Sequence, residues 1–167
     1  MGFYTILDDL YFYQILSFVR KYSNFELKLG KYFYNKTKGI CPEFIIVIDK
    51  FIFFFVKNEN YFNSKFYLDS MRREIKAKKV IIIRFENVFI NLLFSFFPDL
   101  YIHDIKIEKD ESSGVREISL YFLTFKERGI AIGRKGIYIK SLNKLCQKFL
   151  VLENRRLPLE IKCKTVD

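Results

Sequence analysis

Several residue types are scarce in this 167-residue chain, and each scarcity narrows what the protein can be. It has no tryptophan, a single histidine (His103) and three cysteines, Cys41, Cys146 and Cys163, whose spacing fits neither a metal motif nor a disulfide framework. We expect reduced structural thiols and no metal. His103 and Asp104 are neighbours in a predicted strand and point to opposite faces, so they form no catalytic dyad. The sequence also lacks a phosphate-binding G-x-x-x-x-G-K-[ST] loop. We therefore predict a protein that is not an enzyme and has no cofactor.

Long hydrophobic runs are also missing. The longest apolar stretches, FIIVI and FIFFFV, are separated by Asp49 and Lys50 and fall well short of the ~20 residues that a membrane-spanning helix needs. The amino terminus lacks a basic n-region and contains Asp8 and Asp9, so we expect no secretory signal or transit peptide. We predict no membrane partner. The abundant Phe, Tyr, Lys, Ile and Asn suggest an A/T-rich coding genome, which places the protein in the plastid stroma if it is organelle-encoded and otherwise in the bacterial cytoplasm.

Positive charge is abundant and unevenly distributed. The chain carries 29 Lys and Arg against 19 Asp and Glu, a formal net charge of +10, while 50% of its residues are hydrophobic, enough for a core. Residues 126–167 alone hold 11 basic and four acidic side chains, a net charge of +7. A basic segment of this kind favours a nucleic-acid partner. The 20 Phe and 11 Tyr are weaker evidence for base stacking, because A/T-rich codons explain them equally well.

The basic segment surrounds a short glycine motif, Gly133-Arg134-Lys135-Gly136. Two glycines let a backbone approach a nucleic-acid backbone closely, and the two cations between them can meet phosphates. The periodicity predicts a short helix before the motif and an amphipathic helix after it, with apolar residues recurring from Ile139 to Phe149. Alternating patterns predict strands at 118–125 and 157–164. The carboxyl-terminal part is therefore a strand, two helices joined by the glycine loop, and a strand.

Further short sequence matches along the chain make the glycine motif more specific. The sequence resembles the NusA transcription-factor family at a series of short positions that precede and include the loop: Arg73, Glu74, Arg84, Pro98, Gly114, Val115, Arg116, Gly133 and Gly136. The resemblance covers residues 65–163 and implies a type II KH domain at 85–167, a three-stranded sheet packed against helices. It also implies contact with single-stranded RNA through Gly133, Arg134, Lys135, Gly136, Tyr138, Lys140 and Lys144. For Lys140 and Lys144, a solvated helix face remains an equal alternative.

The resemblance extends less closely to the first half of the chain. Residues 11–84 resemble the S-one-class OB barrel that precedes the KH domains of the family, after an extension at 1–10. Phe25, Leu27 and Leu29 alternate with polar residues as a barrel strand should, and Gly30 can turn the chain. The expected fold is therefore α+β, an OB-like barrel followed by a type II KH domain. Four barrel aromatics are candidate RNA contacts: Phe18, Tyr22, Phe25 and Tyr32.

The resemblance also implies a cellular role. It predicts a transcription elongation, termination or antitermination factor that binds nascent RNA, with RNA polymerase or a transcription complex as a possible protein partner. Only about ten residues precede the expected barrel, where the family has a helical polymerase-binding domain, and the chain stops after one expected KH domain. We expect affinity to depend on avidity between modules or on a tethering protein. The alternative is a structural KH protein of the ribosome or of another ribonucleoprotein.

Overall fold

A computed structural model describes residues 12–19, 21–152 and 159–166, which divide into two compact units. The N-terminal unit comprises residues 21–86. The C-terminal unit combines residues 12–19, which include strand β1 (Leu16–Phe18), with residues 87–152 and 159–166. The segment 12–19, expected in the barrel, thus belongs to the C-terminal unit, and the predicted extension at 1–10 lies outside the described residues. None of the helices in the described ranges is long and apolar enough to cross a membrane.

The N-terminal unit packs helices against a three-stranded sheet. Its elements are α1 (Asn24–Lys36), β2 (Phe44–Ile48), β3 (Phe51–Val56), a 3₁₀ turn (Asn58–Asn60), α2 (Tyr61–Lys65), α3 (Leu68–Glu74) and β4 (Lys79–Arg84). Strand β3 lies in the middle, antiparallel to β2 with Phe53 opposite Ile46, and parallel to β4 with Phe53 opposite Ile81. All six residues of β3 are buried. Burial on both faces explains why FIFFFV is a continuous apolar run.

The predicted barrel is wrong, because the described part of 21–84 folds into this open sheet with helices. The clearest error is the strand expected at Phe25, Leu27 and Leu29, which is the start of α1. The Ser23 hydroxyl accepts a hydrogen bond from the Glu26 N–H at 3.3 Å, and the Glu26 carboxylate accepts one from the Ser23 N–H at 2.6 Å. This reciprocal capping box stabilises the start of a helix at the position where the brief alternation suggested a strand.

Core packing then holds α1 against the sheet. Leu29 and Phe33 lie four residues apart, so they share one face of α1, and both are buried. The Phe33 ring packs on Phe54 of β3 with 4.6 Å between ring centroids. Gly30, expected to turn the chain, lies inside the helix, where a Cβ would come within 3.1 Å of Ile45 Cδ1. The glycine therefore permits close packing of α1 on β2 instead of a turn.

The C-terminal unit repeats the same arrangement. Its elements after β1 are α4 (Phe89–Ser95), β5 (Asp104–Lys109), β6 (Arg116–Phe122), α5 (Phe125–Ile132), α6 (Ile137–Phe149), β7 (Leu150–Leu152) and β8 (Glu160–Thr165). The main sheet has the order β5-β6-β8, antiparallel at β5/β6 and parallel at β6/β8, and β1 pairs with β7 in a separate antiparallel sheet. The strands predicted at 118–125 and 157–164 correspond to β6 and β8 with somewhat different ends, and positions 157 and 158 lie outside the described residues.

Both units therefore have one topology: a helix, two antiparallel strands, two helices, and a third strand that pairs in parallel with the second. A parallel third strand requires a crossover, and the two helices supply it in each unit. In the C-terminal unit the crossover is α5, the glycine loop and α6. In the N-terminal unit it is α2, a short turn at Phe66 and Tyr67, and α3. For the second half of the chain the prediction was a three-stranded sheet packed against helices, and for the first half it was a barrel.

Candidate nucleic-acid interface

The glycine motif joins two helices that are fixed to the sheet of the C-terminal unit. The hydroxyl of Thr124, the N-cap of α5, accepts a hydrogen bond from the Glu127 N–H at 3.1 Å. Arg128 Nε on α5 donates to the Cys163 carbonyl of β8 at 3.0 Å. On α6, the amide of Asn143 accepts from the Ile161 N–H at 2.7 Å and donates to the Ile161 carbonyl at 3.0 Å. Both helices that carry the loop are therefore held against β8.

The backbone of the loop requires its glycines. Gly133 ends α5 with φ +82° and ψ 168°, a region that is essentially reserved for glycine. A Cβ there would lie 2.7 Å from the Tyr138 Cβ, closer than two such carbons can approach. Gly136 starts α6 with φ +70° and ψ 14°, and a Cβ there would meet no atom closer than 3.7 Å. Gly133 is thus required by both conformation and space, and Gly136 by conformation alone.

The two residues between the glycines project into solvent. Arg134 and Lys135 are exposed, and Lys135 has a left-handed backbone with φ +57°. Lys140 and Lys144 are also exposed and lie one turn apart on α6, while Leu142 and Leu145 are buried on its other face. The motif and the first turns of α6 therefore present four lysine and arginine side chains beside a helix N-terminus, where the helix dipole favours anions.

Tyr138, which the resemblance assigned to RNA, is committed to the fold. Its hydroxyl donates a hydrogen bond to the Phe96 carbonyl at the end of α4, and its ring meets Phe97 edge-on with 5.9 Å between centroids. Burial raises the pKa of the Tyr138 hydroxyl well above its usual range, so it stays protonated as a donor. We assign Tyr138 a structural role, in which it fixes the start of α6 under the loop.

Part of the basic excess near the carboxyl terminus is neutralised within the sheet. Lys162 Nζ lies 2.8 Å from Glu117 Oε2 and 3.2 Å from Asp110 Oδ2. Lys164 Nζ lies 2.7 Å from Glu117 Oε1 and 3.0 Å from Glu108 Oε2. Glu117 is buried, and the two lysines satisfy its charge. These two lysines, counted in the positive charge of 126–167, therefore stabilise the sheet and are not available to phosphates.

This carboxylate and lysine network predicts a stability maximum between about pH 5 and pH 10. Burial raises the pKa of Glu117, but hydrogen bonds from Lys162 and Lys164 lower it by more. Burial also raises the pKa of Glu108, but hydrogen bonds, chiefly from Tyr121 and Lys164, lower it by more. A carboxylate whose pKa is lower in the folded chain than in the unfolded chain contributes its full stabilisation above the ordinary pKa of about 4.3. This contribution is lost as the pH falls below that value. Burial lowers the pKa of Lys164, but hydrogen bonds to Glu117 and Glu108 raise it above its ordinary value. The contribution of Lys164 to stability is therefore lost only on the alkaline side, as the pH rises through this raised pKa.

Melting temperatures of the full chain from pH 3 to pH 8 measure the acid side of this maximum. We expect them to fall steeply below about pH 4.5. The Glu117→Gln variant, which cannot ionise at this position, should be less stable at pH 7 and should show a shallower fall. Equal acid dependence in both proteins would show that Glu117 does not carry this linkage.

The four aromatics assigned to the barrel are not brought together on a barrel face. Phe18 lies in β1 of the C-terminal unit, opposite Leu150. In the N-terminal unit, the Tyr22 ring packs on Phe44 with 5.5 Å between centroids, Phe25 is about half exposed on the first turn of α1, and the Tyr32 hydroxyl donates to the Glu74 carboxylate. Burial, together with that carboxylate, raises the pKa of Tyr32 well above its usual range. The Tyr32 hydroxyl is thus used within its own unit.

Sequence reasoning missed a different aromatic group. Phe62 and Phe66, on and just after α2, are 71% and 82% exposed, the highest values among the large hydrophobic side chains described apart from Phe125 at 78%. They lie four residues apart and so share one face of the helix. Their spacing in the sequence was the available signal, but 20 Phe in the chain obscured it.

Comparisons with known proteins support the fold. No family model matches the chain, and no curated protein matches it. Among solved structures, the protein whose title reads "Crystal structure of APE1850" is similar, with a TM-score of 0.57 at 16% sequence identity over 85% of this chain and 99% of that one. At this identity the similarity concerns the fold alone. It agrees with a mixed α/β protein built from small sheets and helices.

Proposed function

We propose that the C-terminal unit is a type II KH module that binds the backbone of single-stranded RNA through the loop Gly133–Gly136. The observation that carries this proposal is the loop itself: a glycine-dependent backbone between two anchored helices, with exposed Arg134 and Lys135 at its tip. Close approach of two backbones, combined with positive charge, is the chemistry by which such loops hold about four nucleotides.

The binding is electrostatic and geometric, with no covalent step. Arg134 and Lys135 pair with phosphate oxygens, and the helix N-terminus at Gly136 adds the positive end of its dipole. Lys140 and Lys144 extend the positive surface along α6 and meet the next phosphates. Tyr138 and Asn143 act indirectly, since their hydrogen bonds to Phe96 and Ile161 hold α6 in place.

We further propose that the N-terminal unit is a KH-like module without a backbone clamp. Its support is the shared topology of the two units. The turn between α2 and α3 contains Phe66 and Tyr67 and no glycine, so it cannot admit a phosphate backbone in the same manner. The two units would therefore bind RNA by different means.

The cellular role proposed is that of a NusA-like transcription factor acting on nascent RNA, with RNA polymerase or its complex as the protein partner. Its support is the order of short sequence matches that ends at Gly133 and Gly136. The barrel is not part of that support, and Arg73 and Glu74, which fall at a strand end in the family, lie in helix α3 here. The role therefore depends mainly on matches within the C-terminal unit.

Affinity purification of the tagged full chain from its native host tests the role. We expect RNA polymerase subunits to co-purify, in part through RNA, so that nuclease treatment reduces their recovery. Recovery of ribosomal subunits instead, with co-sedimentation that survives a high-salt wash, would contradict the transcription role and favour the ribosomal alternative. In either result the RNA-binding loop would remain to be tested by its own variants.

A further inference from the structure

The turn between α2 and α3 occupies the place in the N-terminal unit that the glycine loop occupies in the C-terminal unit. The turn has no glycine, and it carries one exposed aromatic ring, Phe66, beside a second one, Phe62, on α2. Phe62 is 71% exposed and Phe66 82% exposed, and they share one face across a single helical turn. Exposure of two phenylalanine rings to water costs free energy. This cost is removed when the rings are buried, either in the core of the chain or against another molecule.

One cation lies against Phe62, and a second lies on the neighbouring ring of Tyr61, which is buried. The guanidinium carbon of Arg84, at the end of β4, lies 4.0 Å from the ring centroid of Tyr61 and 5.3 Å from that of Phe62. Lys65 Nζ lies 5.7 Å from the Tyr61 centroid. Residues 21–86 contain 14 Lys and Arg against seven Asp and Glu, a net charge of +7. An exposed aromatic face bordered by cations thus lies on a strongly basic unit.

We propose that Phe62 and Phe66 form a stacking platform for unpaired bases of single-stranded RNA, with Arg84 placed to meet an adjoining phosphate. Stacking on aromatic rings within a positively charged surface is the general means of binding single strands without reading their sequence. The platform differs from the glycine loop because it holds bases, whereas the loop holds the backbone. The inference rests on the proposed function in one respect, that the ligand is single-stranded RNA.

Charge decides between RNA and an apolar protein surface as the occupant. A phosphodiester chain is negative at every residue and carries a flat ring at every residue, so it matches both the cations and the phenylalanine faces. An apolar protein surface would match the phenylalanines alone and would leave Arg84 desolvated beside them without a counter-charge. The net charge of +7 on residues 21–86 favours the polyanion.

Photo-crosslinking of the full chain to a 12-nucleotide RNA that carries 4-thiouridine, followed by peptide mapping, tests the inference. We expect crosslinks at Phe62 or Phe66, in addition to crosslinks near the Gly133 loop. Crosslinks near the loop alone would overturn the platform and leave the proposed function intact. Absence of crosslinks at both places would contradict the platform and the proposed function together.

Two variants separate stacking from general apolar contact. The double variant Phe62→Leu with Phe66→Leu keeps apolar area and removes the aromatic faces, and it should bind this RNA about tenfold or more weakly than wild type. The matched control Leu27→Ala with Tyr34→Ala removes two exposed apolar side chains from α1 of the same unit and should bind normally. Wild-type RNA affinity in the leucine variant would overturn the inference. The expected loss of affinity with normal control binding would support it.

Discussion

Reversal of both charges in the loop, by Arg134→Asp and Lys135→Asp in one protein, should weaken binding of single-stranded RNA about 100-fold or more. In the proposed contact, each substitution removes a phosphate partner and adds a negative charge beside the RNA backbone. The fold should remain, because both side chains are exposed and because aspartate tolerates the left-handed backbone that Lys135 adopts. Fluorescence anisotropy at fixed salt measures the affinity, and circular dichroism reports the fold.

The matched control for this variant is Lys109→Asp with Lys126→Asp. It makes the same change in net charge on the same unit, at exposed positions at the end of β5 and the start of α5. Lys126 lies seven residues before Gly133, about 10 Å along the helix. If only long-range electrostatics mattered, both double variants would lose RNA affinity to a similar degree. Direct phosphate contact predicts a much larger loss of affinity in the loop variant. Equal losses would show that the loop is only part of a diffuse positive surface.

The second large effect is expected from Gly133→Ala. The new methyl group would lie 2.7 Å from the Tyr138 Cβ, and φ of +82° with ψ of 168° is strained for any residue with a side chain. We expect about 3 kcal/mol or more of lost unfolding free energy, from backbone strain and overpacking together. Because relief of the clash would displace the loop backbone or the start of α6, RNA affinity should fall as well. Urea unfolding of the full chain measures the first effect and anisotropy the second.

Gly136→Ala provides an internal comparison for that variant. Its Cβ would meet Lys140 and Ile132 at ordinary contact distances of 3.7 and 3.8 Å, so only the left-handed conformation is penalised, by about 1–2 kcal/mol. The stability loss should therefore be clearly smaller than for Gly133→Ala. If the two variants lose equal stability, the close approach between Gly133 and Tyr138 does not limit the loop.

The helices around the glycine loop and the strands β6 and β8 were predicted from the sequence because their signals are local. The glycine motif breaks two helical patterns, and the apolar stripe from Ile139 to Phe149 matches the observed helix α6 within two residues at its start. The alternation before and after the helices likewise predicted β6 and β8. The inward orientation of Tyr138 was not predictable, since it depends on Phe96 and Phe97 some 40 residues earlier in the chain.

The N-terminal unit was mispredicted for a physical reason. Five residues of alternation around Phe25 and Leu27 fit a strand, and they fit the first turn of a helix equally well. The signal that decides between them is the capping box of Ser23 and Glu26, followed by buried residues at Leu29 and Phe33. The resemblance to a barrel-containing family outweighed that local pattern. The repeated topology was also not predicted from the sequence. The N-terminal unit has the same order of helices and strands as the C-terminal unit, but it lacks the glycine motif that identified the latter.

The proposed function requires the backbone of residues 133–136 to lie against RNA. The most direct measurement follows the backbone amide resonances of the ¹⁵N-labelled full chain while a four-nucleotide single-stranded RNA is added. We predict that the largest shifts occur at Gly133, Lys135, Gly136 and the first turn of α6, and that amides on the β5-β6-β8 sheet change little. A contradictory result would be saturable binding in which the largest shifts occur elsewhere and the resonances of Gly133 and Gly136 do not change. It would show that the backbone of residues 133–136 does not lie against RNA.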